Sequence, residues 1–391
     1  MIPRFKPALG FDELKAAFSL PKKDDVKKFE EAFAELMEQK YALAFPYGRT
    51  GLTLLLEALG LKDKEIICPA YTCVVVPHAI VYSSNIPVFV DCESDGFNMD
   101  LDQAEKKITP RTGAIVATSL FGYPVNLDKL DKIRSNHPHV NIIQDCAHSF
   151  AAEWEGRPVQ KGGVAALFGL NISKTLTSIF GGMITTDNDD IYRKLKTMRD
   201  QKLKRPGWRK DFRRLLYLLA VYPAFWESVY GLINRLERSG LLDNFVRYYD
   251  ETKIDMPFDF LYQMASIEAR VGIENVKRYD IILQNRWEAA DYYFEYLENK
   301  PDFILPPKVK GATYSHFAVR VNDRDVWLQK GIRMGVQLGW LIEYSVPEMK
   351  AYGGNRLINF PVAGKYARSL INLPVWGGAH VARKVTRIVS S

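Results

Sequence analysis

The sequence predicts an α/β protein whose large domain holds a mostly parallel central sheet covered by helices, followed by a smaller C-terminal α/β domain. In the N-terminal half, short apolar runs alternate with helical patterns, which is typical of parallel strands joined by helical crossovers. Strand and helix signals resume as a separate unit after Pro306 and Pro307. With 391 residues, of which 47% are hydrophobic, the chain is long enough to bury two cores.

The predicted elements follow one another in a regular order. Strand-like runs cover residues 66–68, 88–91, 114–119 and 140–145, and helical patterns cover residues 76–82, 101–108 and 127–135. The strand-like runs are apolar on both sides, as expected for parallel strands that are covered on both faces. Since open α/β sheets bind ligands at the carboxyl ends of their strands, polar residues that follow these runs are candidates for a site.

One long helical pattern, over residues 267–297, is predicted to connect the two domains. Residues 1–275 are predicted to form an N-terminal arm and the large domain, with a basic and apolar helical insertion at about 200–255. Residues 276–391 are predicted to form the small domain.

Lys174 is the first candidate for chemistry, and it lies in the segment LFGLNISKTLTSIFGGMITTD. A lysine that forms a Schiff base must lie on a rigid turn, be partly shielded so that its amine loses its proton, and be approached closely by backbone. Gly181 and Gly182 follow it and carry no side chain to block that approach. Most lysines are surface charges, so this segment alone favours an ordinary solvated lysine in a hairpin. A second residue is needed to decide.

Asp145 is that second residue, because it ends the apolar run in HVNIIQDCAHSFAAEW. A carboxylate at a strand end, with a lysine on a later strand, is the pair that pyridoxal phosphate chemistry requires. For Asp145 alone, an N-cap of the following segment is an equal alternative. His148 is close enough in sequence to contact the ring hydroxyl of such a cofactor, although a buried core histidine is the simpler interpretation of that residue alone.

A phosphate-binding segment is predicted in FPYGRTGLTLLLEALG, where Gly48, Arg49, Thr50 and Gly51 open an apolar helix. Helix N-termini bind phosphate through free N–H groups and the helix dipole, and Arg49 and Thr50 add a charge and a hydroxyl. Taken alone, the segment favours a plain helix start. The order of phosphate loop, aspartate and lysine is more specific than any one of them.

These segments resemble the DegT/DnrJ/StrS family of pyridoxal phosphate (PLP)-dependent sugar aminotransferases, which have the fold-type I architecture. The similarity covers nearly the whole chain outside residues 200–255. The large domain is matched by EIICPAYTCVVVPHAI, by IPVFVDCESDGFNMDLDQAEKKITPRTGAIVATSLFGYPVNLDKL, by IIQDCAHSFAAEWEGRPVQKGG and by SKTLTSIFGGMITTD. The family's interdomain helix is matched by SIEARVGIENVKRYDIILQNR, and its small domain is matched by SHFAVRVNDRDVWLQKGI and PVAGKYARSLINLPVW.

The resemblance implies a role for each candidate residue. Lys174 carries the cofactor as a Schiff base, Asp145 contacts the pyridine nitrogen, and His148 lies beside the ring oxygen. The cofactor phosphate is held by Gly48, Arg49 and Thr50.

Several positions depart from the family pattern. Where the family stacks an aromatic ring on the cofactor, this chain has Cys73 in PAYTC, with Tyr71 close by as a substitute. Polar phosphate contacts of the family are also replaced, at Gly169 and Thr175. The family's N-Y-R-M element, which reaches the cofactor of the neighbouring subunit, appears as Leu261, Tyr262, Gln263 and Met264, so it departs at Leu261 and Gln263. These changes bear on cofactor affinity and substrate choice more than on the chemistry, because Lys174 and Asp145 remain.

The activity implied by the resemblance is transfer of an amino group, from glutamate, to a keto group of a nucleotide-linked sugar. Such enzymes build each site from two subunits, so a homodimer is implied as well. Two alternatives are a sugar dehydratase of the same fold and a membrane-associated scaffold or sensor with weakened cofactor binding. The dehydratases have another residue in place of the lysine, so Lys174 argues against that class.

The predicted insertion begins with a dense basic stretch, from Lys202 to Arg214, followed by an aromatic-rich apolar run. Pro223 and Glu227 near the middle of that run disfavour a single membrane span and predict two helices. Packing on its own domain or across a dimer interface is the favoured interpretation. The alternative is peripheral contact of residues 202–238 with an anionic membrane surface. No nucleic-acid motif accompanies the charge.

Composition and cysteine usage predict an intracellular, cytoplasmic enzyme. The net charge is +7, and the first ten residues show no signal-peptide pattern. The four cysteines, Cys68, Cys73, Cys92 and Cys146, lack metal-ligand spacing and are expected to be free thiols in a reducing compartment, so no metal site is predicted.

Overall fold

A computed structural model describes residues 1–242, 250–354 and 359–390. The large domain contains a seven-stranded sheet and a short hairpin. In chain order the strands are β1 (Tyr41–Phe45), β2 (Glu65–Pro69), β3 (Ile86–Val90), β4 (Thr112–Thr118), β5 (Asn141–Asp145), β6 (Glu153–Trp154), β7 (Arg157–Pro158), β8 (Ala165–Gly169) and β9 (Gly182–Thr186). The sheet order is β1-β9-β8-β5-β4-β2-β3, and only β9 runs antiparallel to its neighbours in the sheet. The prediction of a mostly parallel sheet is confirmed.

Helices cover both faces of this sheet. The helices are α1 (Phe11–Phe18), α2 (Asp25–Leu36), α3 (Gly48–Ala58), α4 (Val75–Tyr82), α5 (Leu101–Lys106), α6 (Leu127–Asn136), α7 (Asp189–Lys202), α8 (Trp208–Ala224), α9 (Glu227–Arg238), α10 (Ser266–Lys277), α11 (Tyr279–Leu297), α12 (Arg324–Arg333), α13 (Pro361–Ser369) and α14 (Gly378–Ser390). One face packs against α3, α4 and α7, and the other packs against α2, α5, α6 and α10. Successive strand residues such as Ile66 and Ile67 therefore point into different cores.

The prediction of one continuous helix over residues 267–297 is wrong at Arg278. This residue has φ −103° and ψ 7° and separates α10 from α11. Its guanidinium contacts both carboxylate oxygens of Glu13 in α1, at 2.9 and 2.8 Å. Because Glu13 is fully buried, this pairing holds the break in the helix against the N-terminal arm.

The small domain is built on a three-stranded antiparallel sheet of β10 (Phe303–Ile304), β11 (Phe317–Val321) and β12 (Leu370–Leu373). Its core is continuous with residues of the large domain, including Tyr71, Val74 and Phe121. The domain boundary predicted between residues 275 and 276 falls in the last turn of α10.

The basic and apolar insertion forms two helices, α8 and α9, which are bent by 108° to each other just after Pro223. No single helix of the described residues is long and apolar enough to cross a membrane, and α8 and α9 meet those criteria only when they are taken together. Residues 243–249, in the last part of the predicted insertion, lie outside the described residues.

Candidate active site

Asp145 ends β5 and lies beside Thr118, its partner on β4. The carboxylate is buried, and it accepts hydrogen bonds from Thr118 Oγ1 at 3.2 Å and from the Ala147 N–H at 3.1 Å. Burial raises the pKa of Asp145, and the Ala147 N–H and the Lys174 ammonium act in the opposite direction. A buried carboxylate whose hydrogen bonds come from neutral donors is suited to pair with a cation.

Lys174 lies in the connection from β8 to β9, in a turn organised by Asn171. The Lys174 N–H donates to the Asn171 carbonyl at 3.0 Å, and the Ser173 N–H and hydroxyl both donate to Asn171 Oδ1. A Cβ at Gly169 would lie 3.1 Å from Lys174 Cε, so the lysine side chain runs over bare backbone. Burial lowers the pKa of Lys174, opposed by Cys73 and Asp145. The amine is partly shielded, as a nucleophilic lysine requires.

Two histidines, His148 and His316, lie close enough to Lys174 for its charge to influence their pKa values. Their ring centroids are 5.4 Å apart, and His148 Nδ1 accepts a hydrogen bond from the Phe121 N–H at 3.4 Å, which assigns the ring proton of His148 to Nε2. Burial, followed by the charge of Lys174, holds the pKa of His148 well below its usual range. Burial and nearby cations, including Lys174, do the same to the pKa of His316. Burial thus favours the neutral form of both rings.

His316 was missed in the sequence, although it lies in the segment SHFAVRV directly before β11. The sequence does mark His316 as a lone polar ring at the start of an apolar strand. Its proximity to His148 could not be predicted, because the two residues belong to different domains. The fold brings Asp145, Lys174, His148 and His316 into one electrostatic neighbourhood.

The predicted phosphate loop opens α3 at Gly48. A Cβ at Gly182 would lie 2.3 Å from Gly48 N, so the first turn of α3 approaches β9 at a distance that only glycine allows. Arg49 Nη1 donates to the Asp255 carbonyl at 3.4 Å, and Thr50 Oγ1 donates to the Phe260 carbonyl at 3.4 Å. The two side chains thus contact residues 255–260, and the helix start faces the ligand edge of the sheet.

Tyr71 has the contacts of a core residue. Its side chain is 1% exposed, its hydroxyl donates to the Ile342 carbonyl of the small domain at 3.1 Å, and burial raises its pKa. Cys73, two residues on, influences the pKa of Lys174 and so lies in the same neighbourhood as the amine.

Two buried hydroxyl groups near this neighbourhood fit a polar ligand. Thr72 Oγ1 and Thr175 Oγ1 have no hydrogen-bond partner among the described residues, and they adjoin Cys73 and Lys174 in the chain. Since buried hydroxyls are normally satisfied, these two are suited to a bound polar group such as a phosphorylated pyridine. No cluster of metal-binding side chains occurs in the parts of the chain that the structure describes.

Two curated relatives of this chain are sugar-modifying enzymes. GDP-perosamine synthase from Escherichia coli O157:H7 is 26% identical over 300 residues, which cover 75% of this chain and 70% of that protein. The dTDP-3-amino-3,6-dideoxy-alpha-D-galactopyranose transaminase from Aneurinibacillus thermoaerophilus is 26% identical over 359 residues, covering 90% of this chain and 85% of that protein.

The fold is shared with Spr1654 from Streptococcus pneumoniae, solved in its PLP form, with a TM-score of 0.77 at 19% identity over 100% of this chain and 98% of that chain. The family model of the DegT/DnrJ/EryC1/StrS aminotransferases matches residues 15–391. This chain belongs to the DegT/DnrJ/EryC1/StrS aminotransferase family.

Proposed function

We propose that the protein is a PLP-dependent aminotransferase that transfers an amino group from glutamate to a keto group of a nucleotide-linked sugar. The observation that carries the proposal is that a buried carboxylate, Asp145, and a partly shielded amine of lowered pKa, Lys174, lie in one electrostatic neighbourhood at the carboxyl ends of β5 and β8. The substrate class follows from the relatives, a GDP-perosamine synthase and a dTDP-amino-sugar transaminase.

Bound PLP supplies an aldehyde for amine capture and a pyridine ring that accepts electrons. Asp145 would keep a proton on the ring nitrogen, and its burial would strengthen that pairing. Lys174 Nζ would hold the cofactor and, as a free amine, would accept the proton from the donor α-carbon. The His148 ring would contact the ring oxygen, and Gly48, Arg49 and Thr50 at the start of α3 would hold the phosphate.

The test combines an absorbance spectrum with borohydride reduction and peptide mapping of the purified protein. We expect bound PLP and a reduced label on Lys174, and Lys174→Ala is expected to abolish transamination without unfolding the protein. A label on another lysine would refute the assignment. Protein that takes up no PLP would favour a scaffold, and dehydration of the sugar without amino transfer would favour a dehydratase.

Substrate class is tested by incubating the enzyme with glutamate and a series of nucleotide-linked 3-keto and 4-keto sugars. Formation of 2-oxoglutarate together with an amino sugar supports the proposal. Turnover with free keto sugars at the same rate would show that the nucleotide is not recognised.

The proposal includes a cytoplasmic homodimer. All four cysteines are free thiols, which suits a reducing compartment. Phe258, Leu261 and Tyr262 are exposed near the phosphate loop, with Phe258 80% exposed. Exposed apolar side chains that cluster beside a site are typical of a subunit interface.

Peripheral membrane contact is a second proposal, supported by the outer face of α8. Trp208, Phe212, Leu216 and Leu219 form an exposed apolar stripe at helical spacing. Three basic side chains beside this stripe are exposed to solvent: Arg205, Arg209 and Arg213. Three other basic residues have partners within the protein, since Lys202 pairs with Glu57, and Lys210 and Arg214 both pair with Glu268. Cations beside aromatic and aliphatic side chains are suited to anionic lipid head groups.

Cosedimentation with anionic and neutral vesicles tests this contact. We expect binding to anionic vesicles that weakens with salt, and loss of binding when Arg205, Arg209 and Arg213 are replaced by Ser, since each cation near a lipid surface contributes about 1 kcal/mol. The control removes the same charge from other helices, by Ser at Lys15, Lys132 and Lys194, which are exposed. Equal recovery with both vesicle types, or equal losses in both variants, would contradict the proposal.

A further inference from the structure

A buried ionic cluster joins the insertion to the large domain. It consists of Arg214 and Lys210 from α8, Glu268 from α10, Asp259, and Tyr47, and we name it the Arg214 cluster. Arg214 Nε donates to Glu268 Oε1 at 2.6 Å, and Arg214 Nη2 donates to Asp259 Oδ2 at 2.9 Å and to the Tyr47 hydroxyl at 3.2 Å. Arg214, Glu268 and Asp259 are all buried.

The charges of the Arg214 cluster are balanced. Two cations face two carboxylates, with Lys210 Nζ 3.8 Å from Glu268 Oε2. Glu268 Oε2 also accepts a hydrogen bond from the Ala265 N–H at the start of α10, and the Arg214 guanidinium lies over the Phe180 ring, 4.1 Å from its centroid. Any other orientation of Arg214 would leave a buried charge without its partner, which is strongly destabilising. These contacts therefore fix the orientation of the Arg214 side chain.

Tyr47 connects the Arg214 cluster to the phosphate loop. It is the N-cap of α3, its carbonyl accepts the Gly51 N–H at 3.1 Å, and its hydroxyl donates to Asp259 Oδ1 at 2.5 Å. The next residues, Gly48, Arg49 and Thr50, carry the first N–H groups of the helix.

Asp259 belongs to a segment that contacts the same loop at two further points. The carbonyls of Asp255 and Phe260 accept hydrogen bonds from Arg49 and Thr50. Arg214 therefore binds both the residue that precedes the loop and the segment that lies against it.

We propose that Arg214 is a positioning residue for the cofactor phosphate: it orients Tyr47 and Asp259, and through them the N–H groups at the start of α3. The inference rests on the proposed function, and it makes the inserted helix α8 part of the cofactor site. Arg214 acts through Tyr47 and Asp259 and does not itself contact the cofactor.

The first test is PLP affinity, measured by absorbance and fluorescence titration of Arg214→Gln. We expect at least a tenfold higher dissociation constant and a shifted ³¹P resonance of the bound phosphate, because the loop loses its fixed geometry. Arg214→Lys keeps the charge but not the fork of donors, and it is expected to restore affinity only in part. The control is Arg193→Gln on α7, an exposed arginine that pairs with exposed Asp190.

Tyr47→Phe separates positioning from stability, because it breaks the link to the loop without leaving a charge unpaired. It is expected to weaken PLP binding and shift the ³¹P resonance while the Tm stays within a few degrees of that of the unmodified protein. If Arg214→Gln fails to fold, the PLP affinity of Tyr47→Phe still tests the positioning role. Unchanged affinity and resonance in Tyr47→Phe would overturn the inference. Failure of the unmodified protein to bind PLP would instead overturn the proposed function on which the inference rests.

Discussion

At the scale of single residues, burial works against charge at both Asp145 and Lys174. The pKa of Asp145 is raised and that of Lys174 is lowered, each because the charged form has lost water. Each charged form therefore reduces the stability of the cofactor-free protein at neutral pH. A site prepared for a charged ligand has this property before the ligand arrives.

Asp145→Asn is expected to have opposite effects on stability and activity. The cofactor-free variant should be more stable at pH 7, because the raised pKa of Asp145 means that the folded state disfavours the carboxylate that Asn removes. Transamination should slow by several orders of magnitude, each factor of ten corresponding to about 1.4 kcal/mol of barrier, because an amide cannot keep the pyridine nitrogen protonated. Thermal unfolding and single-turnover kinetics measure the two effects, and near-normal turnover would show that another group supports the ring.

His78 provides a pH prediction. Burial, followed by the charge of Arg49, lowers its pKa from 6.5 to about 4. Between these values the unfolded chain binds a proton that the folded protein does not. Stability contributed by neutral His78 is therefore present above pH 6.5 and is lost as the pH falls toward 4, by about 3 kcal/mol at most.

The measurement is the free energy of unfolding in denaturant from pH 7 to pH 4. We expect the stability of His78→Gln to fall less steeply over this range than that of the unmodified protein. His380→Gln, at an exposed position on α14, should leave the slope unchanged. Parallel curves for the unmodified protein and His78→Gln would rule out this role.

At the scale of elements, the sequence correctly predicted those strands whose position depends on the local pattern of apolar residues. The strands β2 to β5 were found within a few residues, because their apolar runs are continuous. The helix break at Arg278 was not, because the residue that Arg278 contacts at the break, Glu13, is far away in the sequence. The basic stretch of α8 looked uniform, but Glu268 and Asp259 select Lys210 and Arg214, one turn apart, from the neighbouring exposed cations.

The contact between β9 and α3 depends on Gly182, and Gly182→Ala tests it. The added methyl would lie 2.3 Å from Gly48 N and 2.4 Å from Gly48 Cα, so backbone must move. We expect a clear loss of stability and weaker PLP binding, because the helix start is displaced from the sheet. Gly207→Ala is the control for chain stiffness: Gly207, like Gly182, lacks a positive φ, but nothing lies within 4 Å of the added methyl. Equal losses in the two variants would assign the effect to backbone conformation rather than to contact.

At the scale of the whole molecule, the two domains share one core, and the site lies where they meet. This explains which site residues the sequence could identify. Asp145 and Lys174 follow strands of one domain, so their order along the chain indicated their proximity. The contact of His316 with His148 and the hydrogen bond of Tyr71 to Ile342 depend on how the small domain packs, which no local pattern encodes.

Tyr71→Phe tests this shared core. The change leaves the Ile342 carbonyl buried without its donor, which should lower the free energy of unfolding by about 1 to 3 kcal/mol. Fluorescence and circular dichroism should still report one coincident transition if the domains unfold together. Tyr82→Phe, at a residue that is 42% exposed, is expected to change stability little. Two separated transitions in the unmodified protein would show that the domains are independent.

The Arg214 cluster also constrains the history of the protein. An inserted helix is normally easy to lose, since deletion at a surface loop leaves the core intact. Here deletion would strip the buried carboxylates Glu268 and Asp259 of their cation, so an ancestor that had acquired both acids and the helix could no longer discard the helix alone. Gain of the insertion would then be difficult to reverse by a single deletion. Relatives with a short loop at this position should accordingly carry uncharged residues in place of Glu268 or Asp259.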